Sequence, residues 1–229
     1  MTDLTRRIVL DVLPDRKKAT LIRWLRRPPD GIDLSTLAFA ATDLWSHYRA
    51  AVQTVFPTVA VVADRFHVVQ NLHTVIHDVR KEAQSAAATD EERKQLKGLR
   101  YLLLKNEHNL TDADKQRLAA LAESHPPLFQ LWQLRQDLHD WYEVRTTPEA
   151  ARVTLDHWLE KAKKLGSSHL DSFCNTLTNW QTEIVNFFQH RITSGFVEGM
   201  NSKIRVLKRI AFGIPNHDHF RLRIIAFCG

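Results

Sequence analysis

The chain has 229 residues, 44% hydrophobic and 25% charged, with a formal net charge of +6, which is typical of an ordinary globular protein. No apolar run is long enough to span a membrane, and the N-terminus lacks a signal-peptide core. The two cysteines, Cys174 and Cys228, are too few for a disulfide framework or a cysteine zinc site, so we expect a cytoplasmic protein.

The first 64 residues predict a strand–helix–strand unit preceded by one further strand and helix. Residues 5–13 predict a strand, with Ile8, Leu10 and Val12 on one face, and residues 17–27 predict a helix that ends at Pro28. The next apolar run ends in Asp43, a helix follows over residues 44–56, and a second apolar run ends in Asp64. Two strands that are apolar throughout indicate a buried parallel pair.

Both aspartates follow predicted parallel strands. Parallel strands present their C-terminal ends to ligands, so Asp43 and Asp64 could share a divalent cation. The alternative for either one is a helix N-cap, a position that aspartate favours, and Asp43 before a helix fits that alternative well.

Residues 66–190 predict helices and no convincing strand. The predicted helices are 66–88, 90–106, 111–123, 127–145, 148–165 and 168–189. Trp132, Trp141, Trp158 and Trp180 recur through this region. Such aromatic residues can stack on nucleic-acid bases, but a helix-bundle core is the favoured interpretation.

Residues 194–209 predict an amphipathic helix whose polar side carries one acid and then several cations. Val197, Met200, Ile204 and Leu207 form its apolar stripe. The opposite side carries Glu198, Asn201, Ser202, Arg205, Lys208 and Arg209. From Arg191 onward the chain has seven Lys and Arg residues against two acids, a surplus that predicts a polyanionic partner, most commonly nucleic acid. A solvated helix face is the alternative.

Three histidines are spaced so that a role in a site can be considered. His67 follows Asp64 by three residues and could ligate a metal, move a proton or hold Asp64, although a satisfied histidine beside a cap is the simpler interpretation. His73 and His77 have the i, i+4 spacing of a helical metal pair, but no acidic partner of the His-Glu-x-x-His kind accompanies them. A zinc site is therefore not predicted.

Four segments together resemble the ISL-type bacterial insertion-sequence transposases. They are Asp64 to Val69, Val197 to Ile204, Lys208 to Gly213 and Phe220 to Arg223. The resemblance runs from Ile8 to Arg223. It implies a DDE enzyme with a ribonuclease H-like fold, in which two aspartates on strand ends and a glutamate on a later helix hold two Mg²⁺ ions for DNA cleavage and strand transfer. A helical insertion commonly precedes that glutamate.

The resemblance implies a role for several residues of this chain. Glu198 matches the glutamate, and Asp43 is preferred as the second aspartate, with Asp64 as the alternative and an accessory role for Asp64 and His67. Asn201 would position Glu198 or a phosphate. Lys203, Arg205, Lys208 and Arg209 would contact DNA phosphates.

The resemblance also predicts an α/β, mostly α fold, namely an incomplete ribonuclease H-like core with a large all-helical insertion. Residues 1–66 would form the core without its first strand, 67–190 the insertion, and 191–229 the catalytic helix and basic tail. The family's first catalytic aspartate lies upstream of the strand at Ile8 and has no match here; Asp3 falls in the wrong place. We therefore expect a catalytically defective C-terminal fragment, or alternatively a non-catalytic DNA-binding or dimerising remnant. DNA and, for the full-length enzyme, a second copy are the expected partners, with no membrane.

Overall fold

The protein is described from a computed structural model that covers residues 1–192, 195–211, 214 and 216–228. The chain divides into two compact units, Met1–Asp64 with His190–Gly229, and Arg65–Gln189. These boundaries lie near those of the three predicted segments. The functional labels given to those segments remain predictions.

The structure is mostly helical with few strands. Its first 64 residues contain β1 (Thr2–Asp3), β2 (Ile8–Val9), α1 (Lys18–Arg26), β3 (Phe39–Thr42), α2 (Ser46–Val55) and β4 (Ala60–Ala63). The helices that follow are α3 (Arg65–Ala86), α4 (Asp90–Gly98), α5 (Asp112–Ser124), α6 (Pro126–Glu143), α7 (Pro148–Lys163), α8 (Ser168–Asn179), α9 (Gln181–Val185) and α10 (Phe187–His190). The last two are α11 (Gly195–Ile210) and α12 (His217–Cys228).

The predicted parallel strand pair is confirmed. β3 and β4 run parallel, with Phe39 opposite Ala60 and Thr42 opposite Ala63. Helices α1 and α2 pack together in a core that also includes Val61 of β4. Removing this apolar surface from water is what holds the strand–helix–strand unit together.

The predicted strand over residues 5–13 is wrong in its extent. Only Ile8–Val9 is a strand, and it pairs antiparallel with Thr2–Asp3, while the residues between them form a turn. The Asp3 carboxylate stabilises this turn by accepting hydrogen bonds from the backbone N–H groups of Thr5 and Arg6 at 2.8 and 2.9 Å. Arg7 closes the turn in the left-handed backbone region, with φ 58°.

Two predicted helices of the second unit are shorter than expected. The helix predicted over 90–106 ends at Gly98, a residue with low helix propensity. The helix predicted over 168–189 is divided into α8, α9 and α10. The break after α8 falls at Trp180, whose backbone leaves the helical region (φ −113°, ψ 14°) while its side chain stays buried.

The tryptophans of the second unit are core residues. Trp132, Trp141, Trp158 and Trp180 are each 5–7% exposed. The indole N–H of Trp141 donates to the carbonyl of Ala151 at 3.1 Å, and that of Trp158 donates to the carbonyl of Leu134 at 2.9 Å. Buried indoles need such partners, and the interpretation of these residues as a helix-bundle core is confirmed.

Within the described ranges, no helix is both long and apolar enough to cross a membrane.

Candidate active site and basic helix

Asp43 and Asp64 directly follow neighbouring parallel strands, as the sequence predicted. The last paired residues of β3 and β4 are Thr42 and Ala63, and Asp43 and Asp64 directly follow them in the sequence. The backbone N–H of Asp64 donates to the carbonyl of Thr42 at 2.9 Å, so the strand pairing continues to this point. Adjacent strands lie about 4.8 Å apart. The two carboxylates therefore originate from neighbouring points at one edge of the sheet.

Asp43 does not cap the helix that follows it. Helix α2 begins at Ser46, and its N-cap residue is Trp45, which makes no side-chain capping bond. The Asp43 carboxylate instead forms an ion pair with Arg16, whose Nη2 lies 3.1 Å from Oδ2. The hydroxyl of Thr42 donates to the other carboxylate oxygen at 3.4 Å.

The sequence analysis did not single out Arg16, which contacts the candidate site residue Asp43. Its guanidinium lies 4.0 Å from the ring centroid of Trp45, and its Nε is 3.4 Å from the Tyr48 hydroxyl. A guanidinium over an aromatic face is attracted by the ring. In the sequence, Arg16 stands in a short polar stretch between a proline and a helix, where it gave no signal of a site.

Glu198 lies in the first turn of α11, in the same compact unit as Asp43 and Asp64. The helix is anchored by Met200 and Leu207, each 6% exposed, in a cluster with Val9 and Ile224. This confirms the predicted docking face of the helix. Glu198 itself is half-buried.

The polar side of α11 is a basic, solvent-exposed face. Asn201, Lys203, Arg205, Lys208 and Arg209 are all exposed. Taking only the described part of the chain, none of these four cations has an ion-pair partner. The face therefore presents unneutralised positive charge. Two apolar side chains, Val206 at 53% and Ile210 at 62% exposure, lie exposed on the same helix.

The carboxylates have the chemistry that Mg²⁺ prefers, since it binds hard oxygen ligands. However, among the described residues no three His, Cys, Asp or Glu side chains are grouped to hold a metal ion. Of the two predicted catalytic carboxylates, Asp43 and Glu198, Asp43 is engaged by the Arg16 guanidinium. The described arrangement therefore does not fit a complete metal centre.

The histidines considered from the sequence occupy two different settings. His67 lies in the first turn of α3, half-buried, with its ring 5.3 Å from that of Phe66. His73 accepts a hydrogen bond from Arg135 Nε at 3.2 Å. Burial, together with the Arg135 charge, lowers the pKa of His73 to about 4. His73 is therefore neutral at pH 7.

The sequence analysis also did not single out Asp11, a buried acid whose hydrogen bonds connect residues of the first unit that are far apart in sequence. It is 4% exposed, and its carboxylate accepts hydrogen bonds from the Trp24 indole at 2.6 Å and from Arg221 Nε. Burial raises the pKa of Asp11, but the hydrogen bonds from Arg221 and Trp24 outweigh it and hold the pKa below its usual value.

Comparison with known protein families shows the class to which the chain belongs. Residues 1–224 match the model of the ISL3-type DDE transposases, a family described as transposases, and the chain belongs to this family. No solved structure matches the chain significantly.

Two curated relatives are transposases of insertion sequences. The transposase for insertion sequence element IS1001 of Bordetella parapertussis is 31% identical over 223 residues, which is 96% of this chain and 54% of the relative. The transposase for insertion sequence element IS1557 of Mycobacterium tuberculosis (strain CDC 1551 / Oshkosh) is 31% identical over 123 residues, 54% of this chain and 27% of the relative. The chain thus spans about half the length of the first relative.

Proposed function

We propose that the chain is part of the catalytic region of a DDE transposase that cleaves and transfers the DNA strands of an insertion sequence in a Mg²⁺-dependent reaction. The 229-residue polypeptide by itself is proposed to bind DNA without cleaving it. The observation that carries the proposal is the placement of two strand-end aspartates in one compact unit with the helix of Glu198 and its exposed basic face.

The proposed core is ribonuclease H-like. In support, the first unit combines a parallel strand pair with packed helices, and the chain returns to that unit after the helical residues 65–189. Those helices, 67–190 in the sequence prediction, are proposed to be the insertion. Residues 1–66 and 191–229 are proposed to be the core and its catalytic helix. The described strands form two sheets of two strands each, so a further strand is needed to join them.

Asp43 and Glu198 are the proposed catalytic carboxylates, and Asp64, His67 and Asn201 are proposed accessory residues. Asp43 is preferred to Asp64 because Asp64 occupies the position directly before α3, where the capping alternative remains open. No metal-dependent step is assigned to this polypeptide, since its described residues do not complete a metal centre.

The basic face is proposed to bind DNA phosphates through Lys203, Arg205, Lys208 and Arg209. Phosphate contacts are made by Lys and Arg without regard to sequence, and they are weakened by salt because binding releases counterions. The exposure of all four side chains supports this role. A second copy of the chain and a cytoplasmic location are proposed for the full-length enzyme.

The test is a cleavage assay with the purified 229-residue polypeptide, Mg²⁺ and duplex DNA that carries insertion-sequence ends. We expect salt-dependent binding and no cleavage. Mg²⁺-dependent cleavage that Glu198→Ala abolishes would show that the polypeptide is an active enzyme. Absence of DNA binding at low salt would contradict the proposal as a whole.

A second candidate function is a non-catalytic remnant that binds DNA or dimerises and so interferes with a full-length transposase. The exposed, unneutralised cations of α11 favour it, because they need no carboxylate to act. Its test is co-expression with an active transposase of the same insertion sequence. Two results together support this function. Inhibition of transposition persists in the double variant Asp43→Ala with Glu198→Ala, and it is lost when the α11 cations are replaced.

A further inference from the structure

Arg80 of α3 is a buried guanidinium that has no ion-pair partner in the described part of the chain. It is 4% exposed, and its Nη1 donates to Gln84 Oε1 at 2.9 Å and to the carbonyl of Leu96 at 3.2 Å. Its Nε is buried without a hydrogen-bond acceptor, and no described residue accepts from its Nη2. A guanidinium has five N–H donors, and a buried donor without an acceptor is unfavourable. Most donors of Arg80 are therefore unused by the protein.

A structural role explains only one side of this guanidinium. Leu96 lies in the last turn of α4, and Arg117 donates to the carbonyl of Gly98, the last residue of that helix, at 3.0 Å. Cations stabilise a helix C-terminus because its carbonyls carry partial negative charge. This role accounts for Nη1 of Arg80. It does not account for the edge formed by Nε and Nη2, whose parallel N–H groups are suited to two oxygens of one phosphate or carboxylate.

Unneutralised positive charge surrounds Arg80. Lys81 and Arg100 are exposed, and neither has an ion-pair partner within the described ranges. Burial lowers the pKa of Arg80 below its usual value, and the charge of Arg100 lowers it further. The pKa of His77, one turn earlier on α3, is lowered first by burial and then by these three cations, while Asp78 opposes them. The local charge therefore favours an anionic ligand.

An exposed aromatic ring adjoins the same cations. Tyr101 is 72% exposed, and the guanidinium carbon of Arg100 lies 5.5 Å from the centroid of its ring. Nucleic-acid bases stack on aromatic side chains in positively charged grooves, and a guanidinium beside the ring adds to the attraction. An acidic peptide offers carboxylates to the cations but no base to the ring. The combination therefore favours nucleic acid as the anion.

We propose that Arg80, Lys81, Arg100 and Tyr101, here called the Arg80 cluster, form a phosphate-binding site for DNA in the helical unit. The Nε–Nη2 edge of Arg80 holds two oxygens of one phosphate. Lys81 and Arg100 neutralise the adjoining phosphates, and Tyr101 stacks on a base. The Arg80 cluster lies in a different unit from the α11 cations and needs no carboxylate or metal ion. The choice of DNA as the nucleic acid rests on the proposed function.

The test is DNA binding by the 229-residue protein, measured by fluorescence anisotropy of labelled duplex DNA at several salt concentrations. The double variant Lys81→Gln with Arg100→Gln changes only exposed positions. Two lost phosphate contacts are expected to weaken binding about ten- to hundredfold at about 0.1 M salt and to lower the slope of log affinity against log salt by about 2. The matched control is Lys161→Gln with Lys163→Gln on α7, which makes the same charge change at exposed positions and should alter neither quantity.

Arg80→Lys tests the guanidinium edge, because it keeps the positive charge and removes the paired donors. We expect it to weaken DNA binding about three- to tenfold, the range for one phosphate contact. Arg80 is buried, so circular dichroism must first show that this variant folds. The Nε–H resonance of Arg80 in the wild-type protein is a direct probe that needs no variant. We expect it to shift when DNA is added.

The outcomes separate the Arg80 cluster from the α11 face. Unchanged affinity and slope in the double variant Lys81→Gln with Arg100→Gln overturn the inference and leave the α11 proposal standing. DNA binding that persists when the α11 cations are replaced by Gln, but is lost in that double variant, upholds the Arg80 cluster and rejects the α11 face. Poly-glutamate that binds as tightly as DNA, and is released by the same double variant, would assign the cluster to an acidic polypeptide and overturn the choice of DNA.

Discussion

Arg221 of α12 donates its Nε–H to the carboxylate of Asp11, a residue 210 positions earlier in the chain. The carboxylate is buried and also receives the indole N–H of Trp24 on α1. One side chain thus connects the N-terminal segment, α1 and α12. This helps to keep α11, which packs beside α12, in the same unit as the strand-end aspartates.

Replacing Asp11 by Ala is expected to destabilise the first unit by about 2–3 kcal/mol, because it leaves the Trp24 indole and the Arg221 guanidinium without their acceptor. The measurement is urea unfolding followed by circular dichroism. Asp30→Ala, at an exposed position, is the control and should change the free energy of unfolding by less than about 0.5 kcal/mol.

The ion pair of Asp11 with Arg221 predicts that the first unit loses stability in acid. The pKa of Asp11 is lowered in the folded protein, so the unfolded chain takes up this proton first as the pH falls. The stabilisation by Asp11 is complete at pH values above its pKa in the unfolded chain, about 3.9. It is lost as the pH falls through the lower pKa that Asp11 has in the folded protein. A pH series of unfolding curves checks this. An Asp11→Asn protein with the same acid dependence as the wild type would contradict it.

Met200→Ala is expected to loosen α11 by about 2–4 kcal/mol, because Met200 is 6% exposed and its removal leaves a cavity under the helix. Val206→Ala removes an apolar side chain of the same helix that is 53% exposed, and should have almost no effect on stability. Hydrogen exchange of the α11 amides compares the two variants. Equal exchange rates in both would mean that the apolar stripe does not dock the helix.

His73 predicts a second pH dependence, located in the helical unit. Its pKa is lowered from 6.5 to about 4, so between these values the unfolded chain binds the proton and the folded chain does not. Stability is therefore fully present above pH 6.5 and falls as the pH drops toward 4, by on the order of 1 kcal/mol after allowance for solvent screening. His73→Gln should flatten this part of the stability curve, whereas His157→Gln, at an exposed position, should not.

The basic face predicts a salt dependence for DNA binding. Alanine at Arg205, Lys208 or Arg209 should weaken binding similarly for all DNA sequences and lower the slope of log affinity against log salt by about 1 for each lost phosphate contact. Fluorescence anisotropy at several salt concentrations measures the slope. Arg93→Ala on α4, in the helical unit, is the control. A slope that remains unchanged when Arg205, Lys208 and Arg209 are all replaced would place the DNA contacts elsewhere.

The strand–helix–strand unit and the docking face of α11 were predictable because each is a local pattern. Continuous apolar runs that end in Asp43 and Asp64 specify buried parallel strands, and apolar residues three and four apart specify one helix face. The family was predictable because its motifs are long and specific. The capping alternative for Asp43 was not excluded by the sequence, since aspartate before a helix is common whether or not it caps.

Asp11 and Arg16 escaped prediction because their roles depend on partners that are remote in sequence. Asp11 interrupts an alternating apolar run, and only the positions of Arg221 and Trp24 in the fold show that its carboxylate is hydrogen-bonded while buried. Arg16 precedes a helix as many polar residues do, and its partner Asp43 lies 27 positions away. The extent of the first strand was mispredicted for a different reason. The side chain of Asp3 favours a turn that competes with extended backbone.

The small size of the β3–β4 sheet has a practical consequence for the purified polypeptide. Within the described residues each strand pairs only with the other, so each keeps one edge that no strand covers. Phe39–Thr42 contains no charge and no proline, the residues that commonly protect such edges from pairing with another molecule. Loss of solubility at high concentration should therefore begin by strand addition at β3. Replacing the exposed Ala41 of β3 by lysine should delay this loss of solubility.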